Sequence, residues 1–423
     1  MAGAVATAAY SEVMRFKEHM KEGTSMRIKL PFLLALFTML LFGAFEMLKG
    51  VSAPFMQEDW HLSYLQISNI FLLDSCGYML GTFCCGWIIG RLGMRWVMML
   101  GAMGMAIGTI VIVCGSTYLI MLPAFFFLGL GAGFLEIAAN DVVPAMEKSQ
   151  EGQARYFNWL HGVYGLGACL FPIAAAGLIS YFGNWRYVYG LLLLAVLTIF
   201  VVASLRKHAL AIATASKATG SDEGQQGKGV LRTPLLYALL ASIVTYVMAE
   251  ITIAAWLPSF LMRVKGLTVT HSSAYLSGFY LAFTIGRLTA PFWVNKVGNL
   301  WAIMISTVCA ICFLSLAIFG GPFLLFFFWF TGLAFAVIFP TIAAMASSLF
   351  PEKSGRVLGL LFTSASIGTF VVNWLIGAVS TFVGLATGFL FIFVFLFALM
   401  VSIGFVARLA RFQSVSPLKK RIS

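Results

Sequence analysis

Charge is scarce in this chain. Asp, Glu, Lys and Arg make up 10% of its 423 residues, where a soluble protein carries about a quarter. Apolar residues make up 61%, more than a single water-bathed domain hides in its interior. Long polar stretches are missing as well, apart from the two ends and one internal segment. What is there instead is a succession of apolar runs of about 20 residues, the length that crosses roughly 30 Å of hydrocarbon as a helix. Twelve spans are predicted, at 30–55, 65–90, 97–117, 118–144, 156–180, 187–205, 233–260, 273–294, 299–319, 321–349, 357–382 and 385–408. Only Gly320-Gly321-Pro322 separates the ninth from the tenth. The fold class is an all-α membrane protein.

Other absences narrow the function. The seven cysteines (Cys76, Cys84, Cys85, Cys114, Cys169, Cys309 and Cys312) fall in or at the edges of spans, so no disulfide framework is expected. Adjacent Cys84 and Cys85 point about 100° apart on a helix and read as packing residues rather than metal ligands. No HExxH motif, nucleophile elbow or pair of acids at protease spacing is present, which argues against an enzyme. No cofactor or metal is expected. The first 25 residues lack the pattern of a cleaved leader, because the apolar span after them is too long for one. Either they form a short cytoplasmic helix around Ser11–Lys21, or Met26, opening MRIKLPFLL, is the true start; the second is slightly favoured.

The net charge of +12 suits nucleic acid in sum but not in placement. Only Arg186, Arg263 and Lys265 fall in loops on one side, and Lys49 and Arg287 lie within spans; all the rest of the 27 Lys and Arg gather on the other side. This is the positive-inside bias of a membrane protein with both termini cytoplasmic. The segment RKHALAIATASKATGSDEGQQGKGVLRT is polar, rich in Gly, Ser and Ala, and without apolar periodicity, so it reads as a flexible linker. The expected organisation is a cytoplasmic segment at 1–29, six spans at 30–205, the linker at 206–232, six spans at 233–410 and a tail at 411–423. The halves echo each other weakly: Arg91-Leu-Gly93 follows the second span and Lys296-Val-Gly298 the eighth.

Polar residues inside spans are few enough to weigh singly. Glu136 lies near the middle of YLIMLPAFFFLGLGAGFLEIAANDVV, where an ionised carboxylate has no water and is expected to face a cavity. Asn140, one turn on, shares its face. Glu46 has Lys49 at i+3; it is either a cavity acid or half of a self-compensating pair, with Lys49 snorkelling to the outer surface. Asp74 suits a packing hydrogen bond, an outer vestibule or a coupling role. Asp141 sits nearer the cytoplasmic end and is expected to pair with Arg91 or Arg95 in an inner gate. Asn158 and His161 share a face of the fifth span, beside glycines that permit close helix contact. The seventh span carries Tyr246, Glu250 and Trp256 ahead of Pro258. Here Glu250 can accept the Tyr246 hydroxyl, Trp256 offers a flat face to a sugar ring or an anchor in the aromatic belt, and Pro258 loosens the helix as an outer hinge. Arg287 needs a partner, with a structural pairing favoured over anion recognition. Asn373 is a weaker cavity candidate.

Two six-span units joined by a cytoplasmic linker resemble the major facilitator superfamily. Gly86, Arg91, Gly93 and Arg95 match its short loop motif G-x-x-x-D-R-x-G-R-R, with Gly90 in place of the acid and Met94 in place of a base. The stretch Leu135-Glu136-Ile-Ala138-Ala139-Asn140 is similar to the L-E-x-A-A-N segment of that superfamily's fucose–galactose–glucose:proton symporters. Asn158-Trp-Leu160-His161 with Gly165-Leu-Gly167-Ala168 and Pro172 resembles the N-x-L-H…G-x-G-A…P of the glucose-type branch, as do Tyr246…Glu250…Trp256-Leu-Pro and Gly286-Arg287. Lys49 beside Glu46, and Asp141 after the asparagine, depart from it.

The resemblance implies two pseudo-symmetric six-helix halves that rock about a site near the midplane. It also implies proton coupling at Glu136 and Glu46, with symport of a sugar or similar polyhydroxylated solute. Asn140, Asn158, His161, Tyr246, Glu250, Trp256 and Asn373 are the expected solute contacts, and Arg91, Arg95, Asp141 and Arg287 the gating or structural residues. The expected partners are a small solute, a proton (sodium is also possible) and the lipid bilayer of the cell membrane, with no nucleic acid, and the chain is expected to be a monomer. A proton-driven exporter of drugs or amphiphiles and a non-transporting solute receptor remain the alternatives.

Overall fold

The computed structural model describes residues 30–147, 150–205, 233–350 and 354–415. The helix expected around Ser11–Lys21, Met26, the linker 206–232 and the tail beyond 415 lie outside the described residues. The N-terminal half consists of α1 (Leu30–Trp60), α2 (Tyr64–Leu92), α3 (Met94–Cys114), α4 (Tyr118–Met146), α5 (Gln150–Phe182) and α6 (Arg186–Leu205). The C-terminal half consists of α7 (Pro234–Arg263), α8 (Val269–Val297), α9 (Asn299–Phe319), a 3₁₀ turn (Pro322–Phe326), α10 (Phe327–Ala336), α11 (Ile338–Leu349), α12 (Ser354–Val383) and α13 (Leu385–Val415). α10 and α11 are two parts of one span. Ten stretches of the described residues are long and apolar enough to cross a membrane. α2 and α8, each 29 residues, complete the twelve as the more polar second helix of each half.

The two halves repeat each other at their turns. Ser63 caps α2 by accepting from the Gln66 amide, and Thr268 caps α8 by accepting from the His271 amide. Gly93, between α2 and α3, has φ 81°, and Gly298, between α8 and α9, has φ 88°. The backbone reverses there through a region that side chains disfavour. The faint echo of Arg91-Leu-Gly93 in Lys296-Val-Gly298 is therefore a shared turn.

Within each half, small residues bring helices into backbone contact, as they do in membranes generally. A Cβ on Gly129 of α4 would lie 2.0 Å from the Asp74 carbonyl oxygen of α2, and one on Gly332 of α10 would lie 2.1 Å from the Phe279 carbonyl oxygen of α8. The Gly129 contact fixes the height of Asp74 against α4. We expect Gly129→Val to abolish recovery of folded protein, whereas Gly177→Val, where a Cβ meets nothing within 4 Å, leaves it unchanged. Size-exclusion profiles of the detergent-solubilised variants test this.

Pro340 explains the step between α10 and α11. Its missing amide leaves the Ala336 carbonyl without its helical donor, and its ring crowds the preceding turn. The Tyr246 hydroxyl of α7 then donates to the neighbouring Phe335 carbonyl at 2.9 Å. Pro258, by contrast, does not interrupt α7, which runs on to Arg263 with Leu257, Pro258 and Ser259 buried. The expected outer hinge is a packed, continuous helix.

Contacts between the halves gather at one end. Leu65 N donates to Thr381 Oγ1 (2.8 Å), Ile173 N to Ser277 Oγ (3.2 Å) and Arg263 Nη2 to the Pro54 carbonyl (3.2 Å). Arg263 also pairs with Glu58 at 2.8 Å. At the opposite end, towards the linker, the polar residues Asn158 and His161 on α5 and Thr363 on α12 are exposed. The halves thus meet at the end of the 61–63 and 264–268 turns.

Candidate functional site

The site lies where α1, α2, α4 and α5 face α7 and α8. On α1, the Lys49 ammonium bridges two carboxylates, Glu46 Oε1 at 2.9 Å and Asp74 Oδ2 of α2 at 2.5 Å. The expected pairing with Glu46 is present, but Lys49 does not snorkel to the surface: Asp74, 4% exposed, is its second partner inside the bundle. Two acids share one base.

One turn beyond Asp74 on α2, the Tyr78 hydroxyl donates to Glu136 Oε2 of α4. Glu136 is half-buried. Asn140, one turn further along α4, has its Oδ1 buried with no hydrogen-bond partner. Phe42 of α1 stacks on Tyr78 (centroids 6.0 Å apart, planes 6° apart) and tilts against Tyr164 of α5 at 5.4 Å. These three rings form an aromatic wall beside the acids.

Tyr164 marks the centre of the site. Its hydroxyl interacts electrostatically with Glu46, Glu250, Glu136 and Arg287, so it sees acids of both halves and the base of the second. Tyr280 of α8 also feels Tyr164, Glu250, Glu46 and Arg287. Arg287 places its guanidinium over the Phe283 ring at 4.3 Å, and its Nε is buried without a hydrogen-bond partner. His161, on the first half, lies in the field of Arg287.

Several expected residues stand elsewhere. Tyr246 is fully buried, so it is no open solute contact; its hydroxyl donates to the Phe335 carbonyl at the helix break and has Glu250 as its side-chain hydrogen-bonding partner, as expected. Trp256 is 1% exposed and sits edge-on to Phe71 at 5.8 Å and tilted to Tyr64 at 6.3 Å. It offers no open face to a sugar and no anchor to the interface; it packs the end where the halves meet. Asn373 is buried, and its Nδ2 donates to Ser75 Oγ of α2 at 2.8 Å, making it a clasp between halves. Arg95 donates through Nε and Nη2 to the Ala203 and Ser204 carbonyls, each at 3.0 Å. It satisfies the unpaired end of α6, where a bond to Asp141 was expected. Arg287 lies on an aromatic ring, not in the expected structural ion pair.

Sequence reasoning passed over Tyr78, Tyr164 and Tyr280. A signal was available for the first two: Tyr78 is four residues from Asp74 and Tyr164 three from His161, so each shares a helix face with a residue already weighed.

The Asn373–Ser75 clasp carries a prediction. Asn373→Ala removes one buried hydrogen bond, about 1 kcal/mol, and shifts the population towards opening at the clasped end by about fivefold. A cysteine placed at Ser68, which packs against Gly377 of α12, is expected to react with an impermeant maleimide about fivefold faster in that background. Unchanged labelling would show that the clasp does not hold the halves together.

Two six-helix halves in contact through hydrogen bonds near one end, with acids held among the helices of each, have the layout of a membrane transporter. The sequence model of the Major Facilitator Superfamily matches residues 34–322 and 238–421; the chain belongs to this superfamily and is a multi-pass membrane transporter, not an enzyme. It is 24% identical over 401 residues to Bypass of stop codon protein 6 of Saccharomyces cerevisiae, covering 85% of this chain and 78% of that protein. It is 21% identical over 374 residues to the TsgA homolog of Buchnera aphidicola, covering 86% and 92%. Among solved structures it resembles the nucleoside transporter NupG (TM-score 0.68, 15% identity, 90% of this chain and 99% of that one). A D-xylose–proton symporter is similar (TM-score 0.67, 13% identity, 89% and 96%). At these identities the structural likeness is one of fold.

Proposed function

We propose that this chain carries a sugar or similar polyhydroxylated solute across the cell membrane together with protons, with Glu136 as the proton-carrying group. The observation that carries this reading is the Tyr78–Glu136 pair at the heart of the bundle, beside the unpartnered Asn140 oxygen. A carboxylate at that depth is costly while charged. A bound proton removes the charge and lets the carboxyl donate as well as accept a hydrogen bond. Tyr78 meets the ionised form by donating to it; the protonated form is free to donate to a solute hydroxyl. Loaded and neutral, the cavity closes at the linker end more cheaply than it does with a bare charge.

Asn140, Asn158, His161 and Glu250 supply further polar contacts in this reading, and the Phe42–Tyr78–Tyr164 wall replaces Trp256 as the surface for a sugar ring. Glu46 is held by Lys49, so it stands behind Glu136 in the order of candidates for coupling. The protonation chemistry agrees with the fucose–galactose–glucose:proton symporters that the fourth and fifth spans resemble. The D-xylose–proton symporter of similar fold supports the pairing of sugar with proton. The positive-inside bias supports cytoplasmic termini, and in this reading the chain acts as a monomer.

Uptake of radiolabelled neutral and acidic sugars into proteoliposomes, with and without an inward proton gradient, tests the proposal. Gradient-stimulated accumulation of one sugar is expected. Movement of none under any gradient overturns it.

A further inference from the structure

The two cations buried in this bundle are treated differently, and the difference bears on the solute. Lys49 is held by two carboxylates. Arg287 has none: the ion pairs among the described residues are Lys49–Glu46, Lys49–Asp74, Arg186–Asp59 and Arg263–Glu58. Its guanidinium lies over the face of Phe283, and its Nε–H is buried without an acceptor. Glu250 attracts it electrostatically but forms none of these ion pairs with it. An intramembrane cation is costly even by the more lenient scales, and a ring face offsets only part of that cost. Arg287 sits on the second half, and its field reaches His161 and Tyr164 of the first half.

We infer that Arg287 receives a carboxylate of the transported solute, which makes the solute a sugar acid rather than a neutral sugar. The inference rests on the proposal above that a polyhydroxylated solute is carried. A guanidinium presents paired N–H donors that match a carboxylate and cannot be deprotonated in the membrane. Glu136 and Asn140 on the first half suit hydroxyls, and Tyr164 lies between the two poles. A neutral hexose filling the same space can accept from Arg287 through its hydroxyl oxygens but leaves the charge uncompensated when the cavity shuts. A hexuronate or aldonate satisfies both poles and draws the halves together across itself.

The test uses full-length protein with D-galacturonate, D-glucuronate and D-gluconate against D-galactose and D-glucose, for the wild type, Arg287→Gln and Arg287→Lys. Binding is read by thermal stabilisation in detergent and transport by proteoliposome uptake. One sugar acid is expected to bind and accumulate in the wild type. Arg287→Gln is expected to weaken it roughly 30-fold or more, the loss for one partner of a buried charged pair. Arg287→Lys, which keeps charge without the fork, is expected to weaken it by about tenfold. Neutral sugars accumulating equally in the wild type and Arg287→Gln, with no sugar acid bound, overturn the inference and leave the proposed function standing. Sugar acids binding equally to both proteins overturn it as well. If nothing binds or moves, the proposed function fails and takes the inference with it. Should Arg287→Gln not fold, the wild-type preference for acid over neutral sugar and the Arg287→Lys loss decide the matter alone.

Discussion

Glu136→Gln is expected to abolish proton-driven accumulation while leaving solute exchange intact. Glutamine keeps the size and hydrogen-bonding reach of a protonated glutamate but cannot release a proton. Tyr78, which donates to Glu136 Oε2, can donate equally to the amide oxygen, so the local packing persists. A gradient of one pH unit is worth about 1.4 kcal/mol per coupled proton, or about tenfold in solute concentration. That ratio should collapse to about one in the variant. Counterflow, in which labelled solute enters against unlabelled solute without net proton movement, should stay within a few-fold of the wild type. Loss of both activities together would assign Glu136 to solute binding or folding rather than coupling.

Lys49→Met should be among the most destabilising single changes in the bundle. It removes the only base within reach of Asp74 and Glu46 among the described ion pairs and strands two carboxylates away from water. Breaking a buried pair from one side costs about 3–5 kcal/mol, a large fraction of the 5–15 kcal/mol that holds a typical domain together. The double variant Lys49→Met/Asp74→Asn leaves only the half-buried Glu46 unpaired and should recover most of the loss. Asp74→Asn alone, in which Lys49 keeps Glu46, should cost little. Thermal midpoints of the four proteins in detergent, followed by tryptophan fluorescence, give the coupling between the two positions directly. Additive losses would show that Lys49 and Asp74 act independently.

Much of the architecture was legible because apolar length alone identifies a spanning helix. The twelve spans, the two halves and the turns at Gly93 and Gly298 follow from run lengths and from glycine after a basic residue. Glu136 and Asn140 stood out for the same reason: a polar group in a long apolar run has few structural explanations. What escaped was set by the rotation and depth of one helix against another, which no single helix encodes. Lys49 has a sequence-local partner in Glu46, so nothing in α1 hints at Asp74, twenty-five residues away on α2. Trp256 and Asn373 each fit a cavity by chemistry, yet α7 and α12 turn them into the seam between halves. Tyr246 was readable in principle, since Pro340 announces a break whose carbonyls need a donor, but the pairing requires knowing that α7 lies against α10. The loop motif pointed to Arg95 without showing that its guanidinium closes the end of α6.

The most direct test of coupling at Glu136 is the proton movement that solute itself induces. Proteoliposomes with a pH-sensitive dye sealed inside, held at equal pH on both sides, receive an inward gradient of the transported solute. The wild type should acidify the lumen as solute enters, and Glu136→Gln should admit solute through exchange with no change in dye signal. Solute entry in the wild type without acidification, or acidification that survives in Glu136→Gln, would contradict the account.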